Sequence, residues 1–208
     1  FEKHTIEDKD ILHLYFDTTD DHQLIDKMLS QSVDSLDDII HDPYCSDFTI
    51  RYTPDVIQEK RQSIHARFID LNTRVSESRI QELLEEYDTH FFSGRLFQLI
   101  DKYKYDVVIR TQGKPTFNTE GFCIDTICHY IITLPISVIR KFKPGHVVAG
   151  HSCKDKTECI LFALEHELVH LIIFLFCRSS DLSDYHGMLF QKMAQDLFGH
   201  TSIYHSIS

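Results

Sequence analysis

Apolar residues recur at helical spacing along several stretches of the chain. The clearest stripe, at positions i, i+3, i+4, i+7 and i+11, consists of Ile80, Leu83, Leu84, Tyr87 and Phe91. Only a helix brings such positions onto one face, and we expect this helix to end at Ser93 and Gly94. Upstream, Thr53 and Pro54 are residue types typical of an N-cap and a first helical position, which predicts a second helix as far as about residue 70.

Two later runs are rich in β-branched residues, at positions 105–110 and 129–134. They predict strands of a small sheet, with a turn at Gly113, Lys114 and Pro115 between them. Pro135 then opens a short helix that we expect to reach about Lys141.

The segment that follows Asp155 is apolar nearly all round as far as Cys177, which is typical of a helix buried at the centre of a domain. Asp155 and Glu158 fit a capping box at its start. After a loop at residues 178–183, a final amphipathic helix is predicted to stop at Gly199. The fold class is therefore α+β, a small mixed or antiparallel sheet packed on helices. We interpret residues 1–75 as an acidic N-terminal region of unknown role and residues 76–208 as the folded domain.

The motif HELVH, residues 166–170, lies in the middle of the predicted buried helix. His166 and His170 stand at i and i+4, about 5–6 Å apart at Cβ, so both imidazoles can reach one Zn²⁺ at about 2.0–2.1 Å. Glu167 projects beside the metal, where it can take a proton from the attacking water and later deliver it to a leaving amine. A pair of satisfied core histidines is the alternative, but burying three ionisable groups unpaired would cost several kcal/mol.

A catalytic zinc site needs a third protein ligand. The candidate is His186, because the fifteen residues after His170 leave enough chain for a loop to bring it back. His186 could instead merely cap the last helix. His200 and His205, beyond the helix stop, are weaker candidates for the third ligand.

The charge composition of the chain limits which nucleic-acid contacts it can make. Thirty-two Asp and Glu against 21 Lys and Arg give a formal charge of −11, which argues against a protein that binds nucleic acid with its whole surface. Residues 102–156 nevertheless carry nine Lys and Arg against four Asp and Glu, a net charge of +5 that could attract DNA locally.

Six cysteines without a C-x2-C pair argue against a zinc ribbon, and nothing favours a disulfide framework. We therefore expect an intracellular, reducing location, the nucleus or the cytoplasm. The apolar run at residues 171–176 is too short to span a bilayer, so we expect no membrane partner.

The HELVH motif followed by Tyr185-His186-Gly187 and Phe190, and preceded by HFFSGRL at residues 90–96, resembles the SprT-like zinc metalloprotease family, the type of domain found in Spartan. EGFC at residues 120–123 and the stretch HYIITLPISVI are also similar to that family's sheet region. The resemblance covers roughly residues 78–200. It implies a zincin-like fold, with His166, His170 and His186 as zinc ligands and Glu167 as the catalytic acid and base. It further implies cleavage of DNA-associated or DNA-crosslinked proteins, as in DNA repair.

Three hypotheses follow. The first is a zinc endopeptidase whose substrate strand pairs with an exposed sheet edge near residues 129–134. The second is a non-catalytic zinc-containing interaction domain of the same fold, against which the intact Glu167 argues, since a structural site does not need that carboxylate. The third is a nucleic-acid-binding module that uses the basic stretch at residues 102–156. A metalloprotease that acts independently of DNA remains an alternative to the first.

Overall fold

The computed structural model describes residues 52–102, 104–112, 116–124, 127–176 and 186–204. The predictions for the acidic segment at residues 1–51, the turn at 113–115, the loop at 178–183 and His205 lie outside these residues.

Helices and strands form separate blocks along the described chain and the sheets are small, so the α+β class predicted from the sequence is confirmed. In order, the elements are α1 (Pro54–Arg67), a 3-10 turn (Ile69–Asn72), α2 (Glu77–Phe92), α3 (Arg95–Lys102), β1 (Asp106–Arg110), β2 (Asn118–Ile124), β3 (Ile127–Thr133), α4 (Ile136–Ile139), β4 (Val147–Val148), β5 (His151–Ser152), α5 (Lys156–Phe176) and α6 (Met188–Phe198).

Local chemistry explains where α1 and α2 begin and end. The Thr53 hydroxyl accepts the Val56 N–H at 3.4 Å and caps α1, as the sequence predicts. Helix α2 ends at Ser93, which adopts a left-handed conformation with φ of 53°. Asp88, buried near the end of α2, then accepts the backbone N–H groups of Leu96 and Phe97 at 2.9 and 3.1 Å. A carboxylate of one helix thereby caps the next, α3, which the sequence analysis did not predict.

Helix α1 belongs to the same hydrophobic core as the later elements. Ile64 in α1, Phe68 after it and Leu71 in the 3-10 turn are each at most 1% exposed and pack in the cluster that contains the buried faces of α2 and α5. The packed unit thus begins before residue 76, where the sequence analysis set the start of the domain.

The larger sheet has three strands in the order β1-β3-β2. Strand β3 runs parallel to β1 and antiparallel to β2. The expectation of an exposed edge near residues 129–134 is therefore wrong, because β3 is the central strand and β2 is an outer one. No hydrophobic pattern predicted strand β2, although the family resemblance compared residues 120–123 with a sheet region. Cys128 in β3 is disulfide-bonded, a covalent link that was not anticipated.

Helix α5 is the centre of the fold. Every residue from 159 to 172 is buried, which explains why the segment is apolar nearly all round. Asp155 accepts the Glu158 N–H at 2.9 Å, whereas Glu158 bonds the Lys154 N–H at 2.7 Å instead of that of Asp155, so the predicted capping box forms in a shifted version. Within the described residues, no helix combines the length and apolarity needed to cross a membrane.

Candidate metal centre

Three histidines from two elements meet at one point. His166 and His170 lie on α5, and His186 lies just before α6. Their Nε2 atoms are 3.0 Å apart for His166 and His186, 3.1 Å for His170 and His186, and 3.2 Å for His166 and His170. We call these residues the histidine cluster.

The geometry of the cluster fits a metal ion. A tetrahedral ion with bonds of about 2.0–2.1 Å holds its ligand atoms about 3.3 Å apart, close to the separations seen here. His166 and His170 are 2% and 8% exposed, so their imidazoles are largely removed from water. The cluster could therefore hold a metal ion.

The start of α6 fixes the position of His186. Gly187 is the N-cap of α6, and its carbonyl accepts the Gln191 N–H at 3.0 Å. The Gln191 side chain donates to the His186 carbonyl at 2.8 Å. The second bond holds the His186 backbone against the first turn of α6. Gly187 and not His186 is the N-cap, and no side chain caps the helix, so the described contacts do not show the alternative in which His186 only caps it.

Phe190 packs against all three imidazoles. Its ring centroid lies 4.7, 4.4 and 4.8 Å from those of His166, His170 and His186. Phe190 is 2% exposed and stands one turn after His186 in α6. An aromatic wall of this kind restricts the rotation of all three rings and keeps water from one side of the cluster.

Glu167 follows the first histidine and is only 2% exposed. The Thr119 hydroxyl, on strand β2, donates to Glu167 Oε2 at 2.7 Å. Burial raises the pKa of Glu167 to about 8, although the Thr119 hydrogen bond acts in the opposite direction. A cation held by the neighbouring imidazoles would favour the charged carboxylate and lower this pKa again. Glu167 is thus a buried carboxyl group that follows His166 in α5 and is hydrogen-bonded to strand β2.

A second buried polar group lies one residue before the cluster. Glu165 is fully buried, and both of its oxygens bond Arg61 of α1 at 2.8 Å. Tyr87 of α2 donates to Oε1 at 2.7 Å, and His200 contacts Oε2 at 2.8 Å. Glu165 thus joins α5 to three other parts of the chain, which are α1, α2 and the segment after α6.

This network keeps Glu165 ionised. Burial alone would raise its pKa, but the Arg61 guanidinium and the His200 hydrogen bond more than offset that effect and lower the pKa to about 2. Arg61 also donates to the Phe198 carbonyl at 2.7 Å and so joins α1 to the end of α6. The buried pair fixes α5 relative to the helices around it.

The structure brings together the three histidines that the sequence analysis selected as ligands, and it places the Glu167 carboxylate against Thr119. It places His200, the weaker candidate for the third ligand, in the Glu165 network rather than in the histidine cluster. Sequence reasoning did not identify Thr119 as a partner of Glu167, nor Arg61 as the partner of Glu165. The one available signal was Glu165 itself, a carboxylate at an apolar position of a helix buried all round.

Chemically, the centre combines three imidazole nitrogens, which suit zinc and several other divalent metals, with a carboxyl group on the adjacent residue. No model of a protein family, no curated protein and no solved structure matches this chain, so the interpretation of the centre rests on its own residues.

Proposed function

We propose that this chain is a zinc-dependent endopeptidase of the SprT-like type with a zincin-like fold. The observation that carries the proposal is the convergence of three imidazole nitrogens at 3.0–3.2 Å beside a buried carboxylate. A zinc ion with three histidine ligands keeps one position open and activates water as a nucleophile.

Glu167 is the group that moves the proton in this proposal. Thr119 occupies Oε2, which leaves Oε1 to accept the proton of the attacking water. The same oxygen then delivers the proton to the amine that leaves when the peptide bond breaks. Thr119 orients the carboxylate and is therefore a positioning residue.

Strand β2 is the proposed site for the substrate backbone. It pairs with β3 along one side and has no second partner strand among the described residues. Its Thr119 touches Glu167, so a peptide paired with the free side of β2 would run past the metal centre. Such pairing binds the substrate through backbone hydrogen bonds more than through its side chains, which suits an enzyme with varied protein substrates.

Proteolysis is tested with a denatured protein such as casein as the substrate. We expect zinc-loaded protein to cleave it, a chelator to abolish cleavage, and added Zn²⁺ to restore it. Metal binding at full occupancy without any cleavage would instead support the non-catalytic zinc-containing interaction domain.

The proposed substrates are DNA-associated or DNA-crosslinked proteins. Arg140, Lys141 and Lys143 of the basic stretch at residues 102–156 are exposed, as contact with DNA requires. We expect single-stranded DNA to stimulate cleavage of a DNA-bound protein at low salt. Replacement of Lys141 and Lys143 by Glu should remove this stimulation and spare cleavage of a short free peptide. Equal cleavage with and without DNA in both proteins would support a metalloprotease that acts independently of DNA.

A further inference from the structure

A pocket lies at the start of α5, away from the histidine cluster. It forms where the 3-10 turn, α4 and the first residue of α5 meet, and its volume is about 290 Å³. Leu71 and Ile139, which are at most 1% exposed, contribute to an apolar floor together with Ile136. This size lies at the lower end of the range for pockets that bind small molecules.

Three cationic side chains line the same pocket. They are Arg74 after the 3-10 turn, Arg140 at the end of α4 and Lys156 at the start of α5. None of the three forms an ion pair within the described part of the chain. Three separate segments thus bring positive charge to one small cavity.

The nearby carboxylates have other partners. Asp70 pairs with Arg79 at 2.8 Å, and Asp155 contacts His65 at 2.9 Å. Glu158 lies 3.4 Å from Lys154. Asp70 still interacts with Arg74 through space, which offsets part of that charge, but none of the described carboxylates pairs directly with Arg74, Arg140 or Lys156.

Three like charges around one cavity create a positive potential that attracts an anion. A phosphate monoester carries about −1.5 to −2 charges at pH 7 and three acceptor oxygens, and guanidinium groups match these oxygens with paired N–H donors. A backbone phosphodiester carries a single charge between two sugars, so it matches three converging cations less well. The apolar floor would contact the organic part of a small ligand.

We propose that this pocket binds the terminal phosphate of a small phosphorylated molecule. Lys156 precedes His166 by ten residues in the same helix, which places the pocket about 15 Å from the first cluster histidine along the helix axis. Binding in the pocket therefore does not depend on the proposed protease activity.

The test is isothermal titration calorimetry of the full chain with phenyl phosphate at low salt. We expect a dissociation constant between about 10 μM and 1 mM. Inorganic phosphate, which lacks the apolar body, should bind more weakly. A single-stranded oligonucleotide without a terminal phosphate should bind more weakly still, which separates a monoester from a nucleic-acid backbone as the source of the phosphate.

Variants assign the binding to the pocket. Arg74→Gln, Arg140→Gln and Lys156→Gln should each weaken phenyl phosphate binding about tenfold, because each removes a charge-assisted hydrogen bond. Lys154→Gln is the matched control and should bind as the wild type does, because Lys154 is 82% exposed, stands two residues before Lys156 and does not line the pocket. The melting temperatures of the three pocket variants should not fall, because each substitution relieves repulsion.

Three results would overturn the proposal. One is the absence of phenyl phosphate binding by the wild type at concentrations up to about 10 mM. Another is binding that is unchanged in all three pocket variants, which would place the ligand elsewhere, such as at the histidine cluster. The third is tighter binding of the oligonucleotide that is lost in the same variants, which would assign the pocket to nucleic-acid backbone.

Discussion

Replacement of Arg61 by Met should destabilise the fold strongly, because it leaves the Glu165 carboxylate buried without its cation. Glu165 is 0% exposed and Arg61 is 7% exposed, so water cannot replace the lost partner. Removal of one member of a buried ion pair costs about 3–5 kcal/mol. Domains are stable by only about 5–15 kcal/mol, so the loss is a large fraction of the total. Met also lacks the guanidinium that lies 4.7 Å from the centroid of the Phe162 ring, so a cation–π contact is lost together with the ion pair.

The assay is urea unfolding of wild type and variant, both with a chelator present so that metal release does not contribute. With a slope of about 2 kcal/mol per molar urea, the midpoint should fall by about 2 M. Arg67→Met is the matched control in the same helix, because Arg67 is 66% exposed and its partner Glu86, which is 12% exposed, keeps its contact with His90; the pair with Arg67 is therefore open to water on one side. Such a pair contributes about 0–1 kcal/mol. A midpoint shift for Arg61→Met no larger than that of the control would refute the reasoning.

The destabilisation by Arg61→Met should also depend on pH. In the wild type, the pKa of Glu165 is lowered from 4.5 to about 2, so its stabilising contribution is present above pH 4.5 and is lost as the pH falls towards 2. In the variant, the unpaired Glu165 carboxylate is protonated more readily. Because a protonated carboxyl group is less costly to bury, the loss of stability caused by the substitution is smaller in acid. The difference between the two proteins should therefore be smaller at about pH 4 than at pH 7. Adding Glu165→Gln to the variant should recover part of the loss at neutral pH.

Further predictions concern the metal and the backbone. Replacement of any residue of the histidine cluster by Ala should remove the bound zinc, as measured by metal analysis of the purified protein, whereas His200→Ala should retain it. Thr119→Val should keep the zinc and lower the peptide-cleavage rate several-fold, because Glu167 loses the hydrogen bond that orients it; an unchanged rate would exclude that role. Gly150→Ala should lower the melting temperature by several degrees, because φ is +87° and the added Cβ would stand 2.1 Å from a Thr201 oxygen. Gly145→Ala, with φ of +93° and no atom within 4 Å, should show only the smaller backbone effect.

The features that the sequence predicts well depend on local patterns. Helix α2 follows from its stripe of apolar residues, and α5 from its length and uniform apolarity. The pairing of His166 with His170 is fixed by helical geometry alone, since i and i+4 side chains always lie on one face. The prediction of His186 as the third ligand required only that the chain after His170 be long enough to return to α5.

The features that the sequence did not predict depend on contacts between distant residues. Strand β2 contains Gly121 and polar residues, so its propensity is weak, and it becomes a strand by pairing with β3. Tyr87 was assigned to the core from its place in a stripe, yet its hydroxyl bonds Glu165, 78 residues away. Arg61 and Glu165 are 104 residues apart, and no periodicity connects them.

The central claim is that Glu167, beside a zinc ion bound by the histidine cluster, carries out peptide hydrolysis. The most direct measurement is the cleavage rate per bound zinc of the wild type and of Glu167→Gln, with zinc content and melting temperature measured on the same samples. Gln keeps the size and helix propensity of Glu but cannot accept the proton, so we expect equal zinc, equal folding and a rate lower by about two orders of magnitude or more. Undiminished cleavage by a zinc-loaded Glu167→Gln protein would contradict the account.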